Sequence, residues 1–279
     1  RWFYQFNPHD MFDYDGVNEN VLVELPVDGM PRKVLLHPDR NGWLYVIDRA
    51  SGEVLSAKPF VHVNTIESVD LKTGRPKYAA SRTPQVGRVV RDICPHAGGG
   101  KDWQPSAWSP ATRLLYIPHQ NLCQDQELTP ANYIAGTPYI GATVKMYAGP
   151  GGYRGAFTAW DPLQERVVWE ARESFPVWSG ALATAGNLVF YGTMDGWFKA
   201  LDARNGKLLW QFKAGSGIVG QPVSYRGPDG KQYVAVMAGV GGWAGTVVTA
   251  DLDTRDASAG HGWAAALPDL PEHTSRGGA

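Results

Sequence analysis

The stretch that most constrains this fold is residues 178–210, WSGALATAGNLVFYGTMDGWFKALDARNGKLLW. It holds three short apolar runs, at 181–185, 187–191 and 197–201, and a fourth at 208–212 follows the turn Ala203-Arg204-Asn205-Gly206. Each run is about one strand long, and each boundary carries Gly, Asn or Asp. Asp195-Gly196 is the strongest hairpin signal, because both residues tolerate the positive φ of a tight turn. The stretch predicts one four-stranded antiparallel sheet written in about 40 residues, the size of one blade of a radial β-repeat.

A second signal repeats along the chain. An apolar residue, Asp, three variable residues and Gly recur at Ile47-Asp48 with Gly52, Val69-Asp70 with Gly74, and Leu201-Asp202 with Gly206. Trp160-Asp161 begins a variant without the Gly, and Ala250-Asp251 is a weak echo. Trp169 and Trp210 lie 41 residues apart, and so do Asp161 and Asp202. The Asp can cap the turn through backbone N–H groups while Gly takes the left-handed position. The Trp can then pack between adjacent sheets with its N–H on a carbonyl.

The 33 glycines and 11 tryptophans suit a radial β architecture better than a helical one. A β-sandwich with ordinary core tryptophans is the plain alternative, and the 41-residue interval favours the propeller. Further strands are expected at 2–6, 21–25, 33–37, 43–48, 54–57, 221–225, 232–237 and 246–251. That makes roughly four blades, and an open half-propeller leaves two raw edges. Residues 1–279 therefore read as the C-terminal part of a larger domain. Residues 120–155 interrupt the strand pattern as a long insert, and 254–279 form an irregular tail. Residues 1–5 lack the basic and apolar regions of a signal peptide, which a mature exported protein would lack too.

A net charge of -1 with 19% charged residues gives no reason to expect nucleic acid. No run approaches the length of a transmembrane helix. The two cysteines, Cys94 and Cys123, fit no thiolate zinc cluster and no CxxC motif. One disulfide and two buried thiols remain equal alternatives on spacing alone.

The densest acidic motif is His9-Asp10-Met11-Phe12-Asp13-Tyr14-Asp15-Gly16-Val17-Asn18-Glu19. On a straight strand Asp13 and Asp15 would share one face about 7 Å apart, where both could reach one hard cation. Without a cation they would repel, which raises at least one pKa. An acidic solvent loop is the alternative. Arg40 lies in a turn between two strand candidates, where its fork could meet a carboxylate. Trp178 and Trp243 each sit beside Gly, so either ring could floor a flat ligand site or pack between blades. There is no GxSxG, GxGxxG or P-loop, and no Ser-His-Asp arrangement is recognisable.

The segment from Pro8 to Glu19 resembles the active-site segment of quinoprotein alcohol dehydrogenases, which use pyrroloquinoline quinone (PQQ). Likeness continues at 37–42, 63–74, 92–95, 139–147, 178–210 and 239–245. It spans nearly the whole chain but only the C-terminal half of the family domain, and it points to the lanthanide-dependent branch of the methanol dehydrogenases. The resemblance implies an all-β, eight-bladed propeller of W-shaped four-stranded blades. It puts the catalytic base on Asp13 and an extra lanthanide-ligating carboxylate on Asp15, where calcium-dependent members carry a small non-acidic residue. Arg40 matches an arginine beside the quinone, and Trp178 and Trp243 match tryptophans around it. Asp102 matches a quinone contact that is usually Asn.

By the same resemblance Cys94 and Cys123 form a disulfide, worth roughly 3–4 kcal/mol by loop closure. The remaining metal ligands and several quinone contacts would belong to the missing N-terminal half, so turnover by this chain alone is not expected. The implied activity is oxidation of a primary alcohol, methanol foremost, by hydride transfer to PQQ activated by a lanthanide, with Ca2+ as the alternative ion. Electrons would pass to a cytochrome c in the periplasm, and a homodimer is expected. A quinoprotein for longer alcohols and a non-catalytic propeller scaffold are the competing readings.

Overall fold

The structure is a computed structural model that describes residues 1–137 and 139–241. Among these residues strands dominate, and the only helical element is one 3-10 turn at Ala80–Arg82. No helix there is long and apolar enough to cross a membrane.

The first sheet runs β1 (Val21–Val27), β2 (Met30–Pro38), β3 (Trp43–Asp48) and β4 (Val54–Pro59), in that order and antiparallel throughout. β5 (Ile66–Asp70) and β6 (Arg75–Tyr78) form a separate hairpin. Next come β7 (Val90–Ile93), β8 (Ala107–Ser109), β9 (Leu114–Gln120), β10 (Leu122–Leu128), β11 (Ala142–Ala148), β12 (Gly155–Asp161) and β13 (Arg166–Glu173). The second four-stranded sheet takes the order β13-β12-β9-β8. β10 and β11 fall between its strands in sequence but pair with each other, and β10 pairs on its other edge with β7. The stretch 120–155 is thus not a bare loop: its stem is two seven-residue strands. The third four-stranded sheet is β14 (Leu182–Ala183), β15 (Leu188–Gly192), β16 (Trp197–Asp202) and β17 (Leu208–Lys213). β18 (Val223–Arg226) and β19 (Gln232–Ala235) close the described chain as a hairpin.

The sheets stack face to face. Every residue of β9 is buried, which explains its almost unbroken apolar reading. Its alternate side chains face opposite neighbours. Leu115 and Ile117 join Leu36, Leu44 and Val46 of the first sheet, and Leu114 and Tyr116 join Val189, Tyr191 and Leu201 of the third. Phe157 stacks on Tyr191 at 4.3 Å across the second interface.

The repeated Asp turns act as docking posts. Asp202 accepts the Arg204 N–H at 2.9 Å, Gly206 donates to the Asp202 carbonyl at 2.9 Å, and Gly206 takes φ +72°. The Trp169 ring lies over Gly206, where an added Cβ would come within 2.7 Å of it, and Nε1 donates to the Ala203 carbonyl at 3.0 Å. Trp2 docks in the same way on Gly52 with its Nε1 on Arg49, and Tyr4 covers Gly74 and bonds its carbonyl. Trp210 departs from the pattern. It is 49% exposed and packs edge-on against Phe198, because no such turn among the described residues faces it.

Residues 1–20 contain no strand, contrary to the reading of 2–6. Their aromatic rings dock on turns and on the outer face of the first sheet, and no neighbouring strand among the described residues pairs with them. The expected strand at 246–251 and the tail at 254–279 lie outside the described residues.

Candidate functional site

The acidic segment is held by its apolar residues. Phe12 and Tyr14 are buried, stack at 5.2 Å and pack with Val90 and Ile93. The Tyr14 hydroxyl donates to the Pro95 carbonyl at 2.5 Å. Asp10 turns the segment by accepting the N–H groups of Phe12 at 2.9 Å and Tyr14 at 2.6 Å. With Phe12 and Tyr14 pointing inward, Asp13 and Asp15 are left exposed. The backbone is not the straight strand that the i, i+2 spacing implied. It bends, and Asp13 takes φ +72°, a left-handed value that Asp tolerates better than most residues. The alternation of buried and exposed side chains survives the bend.

Arg40 is presented by a four-residue turn in which Asp39 N–H donates to the Trp43 carbonyl at 2.9 Å and Gly42 N–H to the Asp39 carbonyl at 3.0 Å. Its guanidinium is engaged on three sides. Nη2 donates to Asp13 Oδ2 at 3.0 Å, Nη1 to Asp102 Oδ2 at 3.3 Å, and Nε and Nη2 to the Ala97 carbonyl at 3.2 and 2.9 Å. Gly99, at φ +73°, lies against it so closely that a Cβ would sit 2.3 Å from Arg40 Cγ and 2.4 Å from the Arg40 carbonyl oxygen.

Asp13 and Asp102 differ in setting. The Asp102 side chain is 12% exposed and that of Asp13 is 67% exposed. Burial nevertheless pushes the Asp13 carboxyl up to about 6, against the lowering effect of Arg40 and with help from Asp15 and Asp10. Its oxygens are reachable, but the surrounding protein strips part of their hydration and places two further carboxylates nearby. Burial also raises Asp10, although two N–H groups bond it.

Trp178 is buried and meets Trp103 edge-on at 4.9 Å, so its ring is not an open floor here. It adjoins the site through Gln104, which accepts the Asp102 N–H at 3.2 Å and donates to the Val177 carbonyl at 3.4 Å. Trp243 lies outside the described residues. The structure thus brings together Asp13, Asp15, Arg40 and Asp102.

Sequence reasoning passed over Lys101 and the role of Glu19. The Lys101 ammonium is fully buried and reaches Glu19 Oε2 at 2.5 Å, and Glu19 Oε1 accepts the Ser106 N–H at 2.8 Å. Burial lowers the Lys101 pKa against the pull of Glu19. A lysine directly after Gly98-Gly99-Gly100 was the available signal, but composition gives no hint that it is buried. Cys94 and Cys123 form a disulfide with Cα atoms 4.4 Å apart, joining the end of β7 to β10.

The family model for the PQQ glucose, ethanol and alcohol dehydrogenase β-propeller domain matches residues 1–65 and 154–234, just over half of the chain. The chain belongs to this family. Among its relatives, the lanthanide-dependent methanol dehydrogenase of Methylacidiphilum fumariolicum is 50% identical over 283 residues, covering 100% of this chain and 46% of that protein. The quinoprotein ethanol dehydrogenase of Pseudomonas aeruginosa is 40% identical over 99% of this chain and 46% of its own length. A solved europium-containing methanol dehydrogenase superposes with a TM-score of 0.93 at 49% identity, covering 98% of this chain and 48% of that one. The chain therefore spans about half the length of the relatives it matches. Its four-stranded antiparallel sheets are blades of the PQQ propeller.

Proposed function

We propose that this chain supplies about half of a propeller whose centre binds PQQ and a lanthanide ion, and that the whole protein oxidises a primary alcohol, methanol foremost, to the aldehyde. One observation carries the reading: Asp13 and Asp15 stand exposed on the same bent segment, with Arg40 bonded to Asp13 beside them. That donor set fits a trivalent ion. It consists of hard carboxylate oxygens with more negative charge than Arg40 balances. The names of the 50% identical relative and of the europium-containing structure support the choice of a lanthanide over Ca2+.

In this reading Asp13 and Asp15 hold the ion, and Arg40, Asp102, Trp178 and Trp243 lie around the quinone. When bound, PQQ supplies the hydride acceptor and the ion a Lewis acid. Asp13 takes the alcohol hydroxyl proton on a carboxylate oxygen as general base. Arg40 directs N–H donors at negative charge that develops beside it during the reaction. The acceptor of the electrons would be a cytochrome c, the compartment the periplasm and the assembly a homodimer. The 40% identical ethanol dehydrogenase favours a second reading, a preference for longer alcohols.

The test is purification of the whole protein, with absorbance at the quinone band, metal analysis, and kinetics on methanol and ethanol with and without lanthanum. A protein purified with no quinone and no metal, and inactive after both are added, would overturn the proposal. A higher kcat/KM for ethanol would select the second reading.

A further inference from the structure

Asp102 spends its two carboxylate oxygens on different parts of the site. Oδ1 accepts the Val17 N–H at 3.4 Å, and Oδ2 accepts from Arg40 Nη1 at 3.3 Å. Lys101 adds two more grips on the same segment. Its carbonyl accepts from Asn18 Nδ2 at 3.3 Å, and its ammonium holds Glu19. The pair Lys101-Asp102 therefore clamps residues 17–19, directly after Asp13 and Asp15, while Asp102 also holds Arg40.

Arg40 is shared between a buried carboxylate, Asp102, and an accessible one, Asp13. A cation arriving at Asp13 and Asp15 competes with Arg40 for Asp13, and a guanidinium left unpaired would repel that cation. A second carboxylate on Arg40 removes this conflict, because the guanidinium stays paired when Asp13 changes partner. We infer that Asp102 is a positioning residue for the cation site: it retains Arg40 while Asp13 passes from guanidinium to cation, and it fixes the segment that carries both ligands. This rests on the reading of Asp13 and Asp15 as ligands of a trivalent ion. In this chain an amide is a poorer substitute: the two bonds use different carboxylate oxygens, so with Asn one of the two positions becomes an NH2 group that faces another donor, and the negative charge beside Arg40 is lost.

The test uses the whole protein without quinone, titrated with terbium and followed by luminescence. Asp102→Asn should weaken terbium affinity about tenfold while the melting temperature stays within a few degrees. In an Arg40→Gln background the same substitution should cost no more than about two- to threefold, since the group it restrains is gone. No loss in the first background, or equal losses in both, overturns the inference. A crystal structure of metal-free Asp102→Asn should show Arg40 drawn wholly onto Asp13 with residues 17–19 displaced, and an unmoved Arg40 overturns it. If the unsubstituted protein takes up no terbium, the ligand reading of Asp13 and Asp15 fails instead. The crystal structure then decides the positioning role.

Discussion

Asp13 and Asp15 are close together because Phe12 and Tyr14 are buried between and beside them, not because the segment is a strand. The i, i+2 reading of the motif holds only in part: burial alternates, and the backbone bends. In the whole protein Asp15→Ala should abolish lanthanum-dependent activity and shift the melting temperature by no more than a few degrees, as expected for an exposed side chain. Asp13→Asn should lower kcat by about 10²–10⁴ with folding retained, which steady-state kinetics beside a thermal melt would check. Gly99 is a less visible requirement. A methyl group there meets Arg40 backbone at a left-handed φ, so Gly99→Ala should cost about 2–3 kcal/mol in a denaturant titration. A cost below about 0.5 kcal/mol would show that the loop yields.

At the scale of elements, one turn design is used twice. Asp39-Arg40-Asn41-Gly42-Trp43 and Thr193-Met194-Asp195-Gly196-Trp197 share the same backbone bonds, with only the Gly at positive φ, +87° and +88°. The Asn-Gly and Asp-Gly signals located these reversals correctly, although the type with two positive φ values does not form. The first turn places Arg40 in the site, and the second places buried Met194 at the equivalent position. The docking turns give a paired prediction. Glu165 occupies the Gly position of the Asp161 turn at φ +53°. Glu165→Gly relieves that strain but adds chain entropy and loses an exposed pair with Lys58, so it should lie within about 0.5 kcal/mol of the parent. Gly206→Ala adds both strain and a clash with Trp169 and should cost more than about 2 kcal/mol. Equal effects in equilibrium unfolding would remove the special role of the docked ring.

At the scale of the whole molecule, stacking buries polar groups that the chain order keeps far apart. His96 and His119 are fully buried, and desolvation lowers them to about 3 and about 4. Each stays neutral in the folded state below the pH at which the unfolded chain binds a proton. Their contribution is therefore complete above pH 6.5 and is lost as pH falls toward 4 and 3. Between pH 7.5 and 5.5 the whole protein should lose roughly 2–3 kcal/mol in urea titrations, and His119→Gln should flatten that slope. An unchanged midpoint would mean that both rings gain protons without cost.

Periodicity was enough to identify the blades, the Asp-Gly posts and the Trp169 dock, because those depend on neighbours a few residues away. Asp13, Asp15, Arg40 and Asp102 are singled out together by family resemblance, not by periodicity, and the fold brings them to one place. What periodicity could not reach were contacts across long sequence separations: Lys101 with Glu19, Asp102 with Val17, and the pairing of β10 with β7 inside an apparent insert. Such contacts form only once the sheets are stacked, since a buried ammonium or carboxylate must find its partner wherever the fold has brought one.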